Sequence, residues 1–193
     1  MTITIITPPV SEPVSLAEAK AFLRLETSDE DDLVSHLIST AREAIERSLG
    51  LALITQTVRE TLDAFTGSGV QNHGRAYRLA VQPLVSVTAV AVRDASGGST
   101  PWDADQYFVM PGLHGCLVLT PDGRFPASTL GAGGIEVTYV AGFGAAGAQV
   151  PNAIRQAILL AVADGFENRT GITDYGLSPV ISALIAPYRR VRL

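Results

Sequence analysis

The segment from Thr27 to Gly50 constrains this chain more than any other. Its inward positions, Leu33, Val34, Leu37, Ile38, Ala41, Ala44, Ile45, Ser48 and Leu49, follow the i, i+3, i+4, i+7 spacing of a helix with one buried stripe. Thr27 with Glu30 three residues on reads as a capping box, in which the hydroxyl takes an orphan amide and the carboxylate returns to the cap's own amide. Asp29, Glu30, Asp31 and Asp32 fall at the positive end of the helix dipole, and Arg42 and Arg47 towards the negative end. Gly50 stops the helix, because a left-handed residue after the last turn costs glycine no Cβ clash.

Before this helix, residues 1–14 hold Pro8, Pro9 and Pro13 and read as an extended arm, on the chain's own domain or on a neighbour. Ser15 and Glu18 form a second capping box. A short helix follows with Leu16, Ala19, Phe22 and Leu23 on one side, ending near Leu25. Residues 15–51 thus make a helical hairpin or corner.

From 52 to 144 the period changes from helix to strand. Ile54, Val58 and Leu62 alternate with Thr55, Thr57, Arg59, Thr61 and Asp63. Gly67 to Gly74 reads as a loop, Tyr77 to Val81 as a short strand broken by Pro83, and Val85 to Arg93 as a strand ending in the turn Asp94–Gly98. Gln106–Met110, Cys116–Thr120 and Ile135–Ala141 bring the total to about six strands, an antiparallel sheet or small barrel. Helix returns at Pro151, expected at a first helical position, with Ile154, Ala157, Ile158, Ala161, Val162 and Phe166 inward. Gly171 to Leu177 reads as a loop. Ser178 caps a last short helix that Pro187 ends, and residues 188–193 project as a tail. The expected class is α+β, with a helical core from both ends of the chain (15–51 and 145–187) around a central antiparallel β insertion.

The 193 residues suit one domain or one core with an elaborated insertion. The net charge of −5 is uneven: residues 1–50 carry nine acids and four bases, whereas the remainder balances ten against ten. Arg189, Arg190 and Arg192 crowd the last five residues. An acidic start and a basic end suit copies packed head to tail. No apolar run reaches the ~18 residues of a membrane span, and Met1 to Ile6 lacks the basic region of a signal peptide. Cys116, the one cysteine, has no internal disulfide partner.

Signals of catalysis are few. Gly142-Phe143-Gly144-Ala145-Ala146-Gly147 is a literal G-x-G-x-x-G after an expected strand, the pattern that lets a backbone approach a pyrophosphate at a helix N-terminus. Here the helix waits until Pro151, and no strand-end acid follows at the usual distance, since Glu167 sits in a helix. A hinge between sheet and helix is the favoured reading, and a small-ligand or nucleotide-binding loop is the alternative. Consecutive acids from Asp29 to Asp32 point in different directions, unlike the converging oxygens of a cation site. His36, His73 and His114 are scattered, and Cys116 has no basic neighbour in sequence to activate it. No catalytic, metal or cofactor residue is therefore expected. The domain lacks a basic stripe for nucleic acid, and the terminal arginines suit a carboxylate on a protein partner better than phosphate.

In its order of segments the sequence resembles the head–tail connector (adaptor) proteins of long-tailed phages and gene transfer agents. The likeness runs through Val14-Ser15-Leu16-Ala17-Glu18-Ala19-Lys20, Ala44-Ile45-Glu46-Arg47, Pro83-Leu84-Val85-Ser86-Val87 and Ile135 to Gly142. It continues through Val150-Pro151, Ile154-Arg155-Gln156-Ala157-Ile158 and Leu184 to Val191. Gly165 departs from it, since relatives tend to carry a bulkier residue there. The resemblance implies a non-enzymatic, dodecameric ring beneath the portal at a capsid vertex of a virion or gene transfer agent particle assembled in the bacterial cytoplasm. It implies contacts with portal, stopper and tail proteins, and a lumen through which DNA passes without sequence-specific binding. Tyr188, Arg189, Arg190, Val191, Arg192 and Leu193 are expected to dock on the portal. Asp29, Glu30, Asp31, Asp32, Arg42 and Arg47 are expected at the subunit contact.

Overall fold

The computed structural model describes residues 1–66, 69–130, 132–168 and 177–189. The fold is α+β, and the chain divides into two compact units, a sheet unit of residues 1–8 and 55–142 and a helical unit of residues 9–54 and 143–193.

Nine strands lie among the described residues of the sheet unit: β1 (Thr2–Thr7), β2 (Gln56–Leu62), β3 (Val70–Gln71), β4 (Ala76–Arg78), β5 (Leu84–Arg93), β6 (Ser99–Pro101), β7 (Tyr107–Met110), β8 (Cys116–Leu119) and β9 (Ile135–Ala141). They form two antiparallel sheets, ordered β1-β2-β9-β5-β6 and β3-β4-β8-β7. Three of these strands exceed the expected six. β3 falls inside the segment read as a loop, and β6 is only three residues long. β1 lies in the arm, which pairs with its own sheet from Thr2↔Thr61 to Thr7↔Thr57 with a bulge after Ile5. Its prolines begin only at Pro8, and every residue from Thr2 to Thr7 is β-branched, which suits a pleated surface. All six are exposed on the outer edge of the sheet.

The core of this unit contains a carboxylate. Along β2 the inward positions are Gln56, Val58, Glu60 and Leu62, so two polar side chains share the buried face with two apolar ones. Glu60 is 0% exposed. Its carboxylate accepts from the Ala80 amide at 2.8 Å, the Tyr139 hydroxyl at 3.2 Å and the Tyr77 hydroxyl at 3.3 Å, tying β2 and β9 of one sheet to β4 of the other. Burial pushes the Tyr77 phenol well above its ordinary value, and the Glu60 charge and hydrogen bond add to that. Beside it, Phe65 stacks on Phe125 at 4.6 Å and meets Tyr77 edge-on at 4.9 Å.

The helical unit comprises α1 (Leu16–Leu23), α2 (Asp31–Leu49), α3 (Asn152–Glu167) and α4 (Pro179–Ile185). The Ser15 capping box forms as expected: the Glu18 amide donates to Ser15 Oγ at 3.2 Å, and the Ser15 amide donates to Glu18 Oε2 at 2.9 Å. Arg24 closes α1 in the left-handed region. Phe22, expected inward, is 40% exposed, and Ala19 is the residue α1 buries. The second capping box does not form. α2 begins at Asp31, four residues after Thr27, and Glu30 occupies the cap position without a capping hydrogen bond from its side chain to the first turn. A turn intervenes, in which the Asp31 amide donates to the Ser28 carbonyl at 3.2 Å, and the Asp31 carboxylate pairs with Lys20 of α1. Gly50 ends α2 at φ 65° as expected.

Pro151 takes the cap position of α3 rather than the first helical one, because its ψ of 135° is extended. Ser178 caps α4, and Pro187 turns the chain into a single 3-10 turn, Ala186–Tyr188. At Gly165 of α3 an added Cβ would lie 2.8 Å from Leu37 Cδ2 of α2, so the missing side chain permits the close approach of these two helices. Among the described residues no helix is long and apolar enough to cross a membrane.

Replacing Glu60 with Ala leaves two buried hydroxyls and an amide without their acceptor. We expect a loss of about 3 kcal/mol or more, read as a fall in the urea midpoint at unchanged m-value. Glu18 is held below the ordinary carboxylate value by the Ser15 amide and hydroxyl, with Arg155 adding to the effect. Its contribution is therefore present above the ordinary carboxylate range and is lost as pH falls through the depressed value. Ser15→Ala should cost about 1 kcal/mol near neutral pH. Thermal melts should show that deficit narrowing once the pH drops below about 4.

Candidate functional site

The charges on α2 divide into one held inside the unit and others left at its surface. Arg42 is only 9% exposed. Its Nε donates to Glu12 Oε2 and its Nη1 to Glu46 Oε2, both at 2.8 Å. The second oxygen of Glu46 accepts from the Leu53 amide at 2.7 Å. Burial works against the Arg42 charge, but Glu12 and Glu46 more than offset it and hold the guanidinium protonated. Burial raises the Glu46 carboxyl above its ordinary value, and the Leu53 amide and Arg42 only partly pull it back. Arg42 was expected at a contact between subunits. The structure places it on the buried side of α2, because a carboxylate one turn later and another from the preceding segment satisfy its charge at home.

Arg47, one turn nearer the helix end, is exposed and has no ion-pair partner among the described residues. It stands on the rim of a groove of about 690 Å³ bounded by α2, α3 and α4. Leu37, Ala41, Ala44, Ala161, Gly165 and Ile181 form its apolar part, and their small side chains keep it open. Around it stand Arg47, Asp164 and Arg189 with several hydroxyls. Asp164 already accepts from the Asn168 side-chain amide at 2.9 Å, whereas Arg189 has only a 3.5 Å approach to Ser182 Oγ. The rim is therefore cationic.

Of the expected tail residues, Tyr188 is half-buried in the 3-10 turn after α4, Arg189 is exposed on the groove, and Arg190, Val191, Arg192 and Leu193 lie outside the described residues. At the opposite end of α2, Asp29 and Glu30 precede the helix, and Asp31 and Asp32 form its first turn. Asp29 and Asp32 are exposed, whereas Asp31 is held by Lys20. The structure thus brings Arg47 and Arg189 together at one groove and keeps the acids of the first turn of α2 apart from Arg47, about 22 Å away along the helix axis. Sequence reasoning missed the groove itself. Its only sequence signal is the run of small residues at helical spacing, Ala41 and Ala44 on α2, Ala161 and Gly165 on α3.

The glycine-rich loop has a local role. A Cβ at Gly144 would fall 2.2 Å from the Gln149 side chain, whose Oε1 also accepts from the Ala146 amide at 3.1 Å. A Cβ at Gly147 would fall 2.5 Å from the Pro13 carbonyl. The close approach that a dinucleotide fingerprint offers to a pyrophosphate is thus taken up by the chain itself. Cys116 is half-buried on β8, and burial raises its thiol despite an opposing pull from Arg78. Among the described residues no three His, Cys, Asp or Glu side chains converge as metal ligands do.

Comparison with solved structures finds chains of the same fold along the whole length. A chain in the neck of an empty gene transfer agent particle, computed with C6 symmetry, superposes with a TM-score of 0.83 at 28% identity, covering 100% of this chain and 97% of that one. A chain in the virion of a native gene transfer agent particle gives 0.82 at 28% identity with the same coverage. A chain in the neck of the native particle, computed with C12 symmetry, gives 0.79 at 26%, again with the same coverage. No match is found among curated proteins. The family model for the head completion protein matches residues 12–191, which spans both helical segments and the sheet between them. The chain belongs to the head completion protein family.

Proposed function

We propose that this chain is a connector subunit that closes into a ring beneath the portal, joins it to stopper and tail proteins, and leaves a lumen through which DNA passes. It is a structural component of a phage-like particle, at home in the neck between head and tail. The observation that carries the reading is the end-to-end likeness to neck chains whose particles were computed with sixfold and twelvefold symmetry. In such an arrangement one pair of unlike surfaces recurs around the axis, so each copy needs two complementary faces. The acids from Asp29 to Asp32 and the exposed Arg47 supply charges of opposite sign at the two ends of α2. An overall charge of −5 with no basic stripe suits a conduit, since cationic contacts to phosphate dominate DNA affinity and would retard a moving genome. The tail from Tyr188 to Leu193 docks on the portal, its tyrosine and arginines combining contact area with directed polar tips.

Native mass by light scattering tests this, on the protein alone and mixed with its portal. A ring alone, or subunits joining the portal in equal number, is the expected result; a monomer indifferent to the portal would overturn the reading. Deleting residues 188–193 should abolish portal binding while leaving the melting temperature within about 2 °C. Binding that survives the deletion would remove the tail as the docking element.

A further inference from the structure

The groove beside Arg47 and the corner between α1 and α2 have complementary chemistry, and one chain cannot bring them together. We infer that the α1–α2 corner of a second copy, carrying Phe22 with Asp29 and Asp32, seats in the groove bounded by α2, α3 and α4 and pairs with Arg47. This rests on the ring reading above and assigns the residues of its repeating contact.

Three observations carry it. First, the groove has an apolar floor of small side chains and a rim with two guanidiniums, of which Arg47 has no ion-pair partner among the described residues. Its one carboxylate, Asp164, is bonded to Asn168. An occupant with an apolar anchor and carboxylates beside it fits such a site. Second, the corner presents that combination. Phe22 is the 40% exposed large apolar side chain of α1, a helix that buries Ala19, and Lys20, two residues earlier, is ion-paired to Asp31. That pair fixes the end of α1 beside the start of α2, where Asp29 and Asp32 are exposed. Exposed aromatics next to matched charge are the usual anchors of protein contacts.

Third, Arg47 on the groove rim and Asp32 at the corner stand about 22 Å apart along the axis of α2. Contact between them is necessarily between copies. In a ring such a contact repeats head to tail, each copy's corner meeting the next copy's groove. Arg42 takes no part, since its charge is satisfied by Glu12 and Glu46 within the chain.

The test uses the full chain, assembled alone or on the portal, with native mass as the readout. Arg47→Glu and Asp32→Lys, each changing one exposed side chain, should weaken assembly about tenfold or more through like-charge contact. The two changes combined in one chain should recover most of it, because every interface then pairs the reversed charges. Phe22→Ser should weaken assembly at an unchanged melting temperature. A Cys116→Ser background carrying Asp32→Cys and Ser48→Cys, treated with a short bis-maleimide, should give a ladder running past dimers. Products that stop at the dimer, no cross-linked product from assembled protein, or wild-type assembly by both single charge reversals would overturn the contact while leaving the ring intact. A wild-type chain that stays monomeric with and without the portal would instead remove the ring reading, and this contact with it.

Discussion

The buried guanidinium of Arg42 holds the helical unit together where the chain enters and leaves the α1–α2 pair. Two segments lacking regular structure flank the α1–α2 pair, one leading in through Glu12 and one leading out through Leu53. Both are fastened to the middle of α2, Glu12 by Arg42 directly and Leu53 through Glu46. A chain that enters and leaves a helix pair without such ties would let both ends fray. The arrangement also decides which cation of α2 faces outward. With Arg42 held by Glu12 and Glu46, Arg47 is the outward cation of the C-terminal half, one turn from the exposed Glu43.

A parallel device organises the sheet unit. Glu60 is a carboxylate in a core of aliphatic and aromatic side chains, and hydrogen bonds reach it from two sheets and a loop. Burying such a charge is costly, and removing one donor leaves the rest in a worse position. Apolar packing alone tolerates small slips between facing sheets. A carboxylate with fixed donors does not, so the register of β2 against β4 is specified more sharply than hydrophobic contact would achieve. Both units therefore place one ionisable side chain where several segments meet.

Much of this was legible in the sequence. The stripe and terminal glycine of α2, the Ser15 box, the bounds of β9 and the helical ends around a β insertion all follow from local pattern. The failures have physical causes. Thr27 and Glu30 have the spacing of a capping box, but the Ser28–Asp31 turn and the pull of Lys20 on Asp31 start the helix later. Gln56 and Glu60 occupy inward positions by parity, yet a polar residue at such a position reads as a break in the stripe rather than as part of the core. β1 was hidden by prolines that follow it, and β3 and β6 by their length. The groove depends on how three helices lie against one another, which no single helical period encodes; only the small residues at Ala41, Ala44, Ala161 and Gly165 hinted at it.

The pairing of β1 has a consequence for the order of events when the chain is made. Thr7 must wait for Thr57, and Gln56 in turn for Ala141, before the first sheet has its neighbours. The α1–α2 pair needs only residues close to one another and is complete long before. A growing chain thus carries a finished helical hairpin between two strands that have only each other to pair with, the earlier of them an uncharged, β-branched segment. That segment gains β2 early, but the two-stranded ribbon lacks β9 until residue 141, so it stays open to wrong partners for much of synthesis.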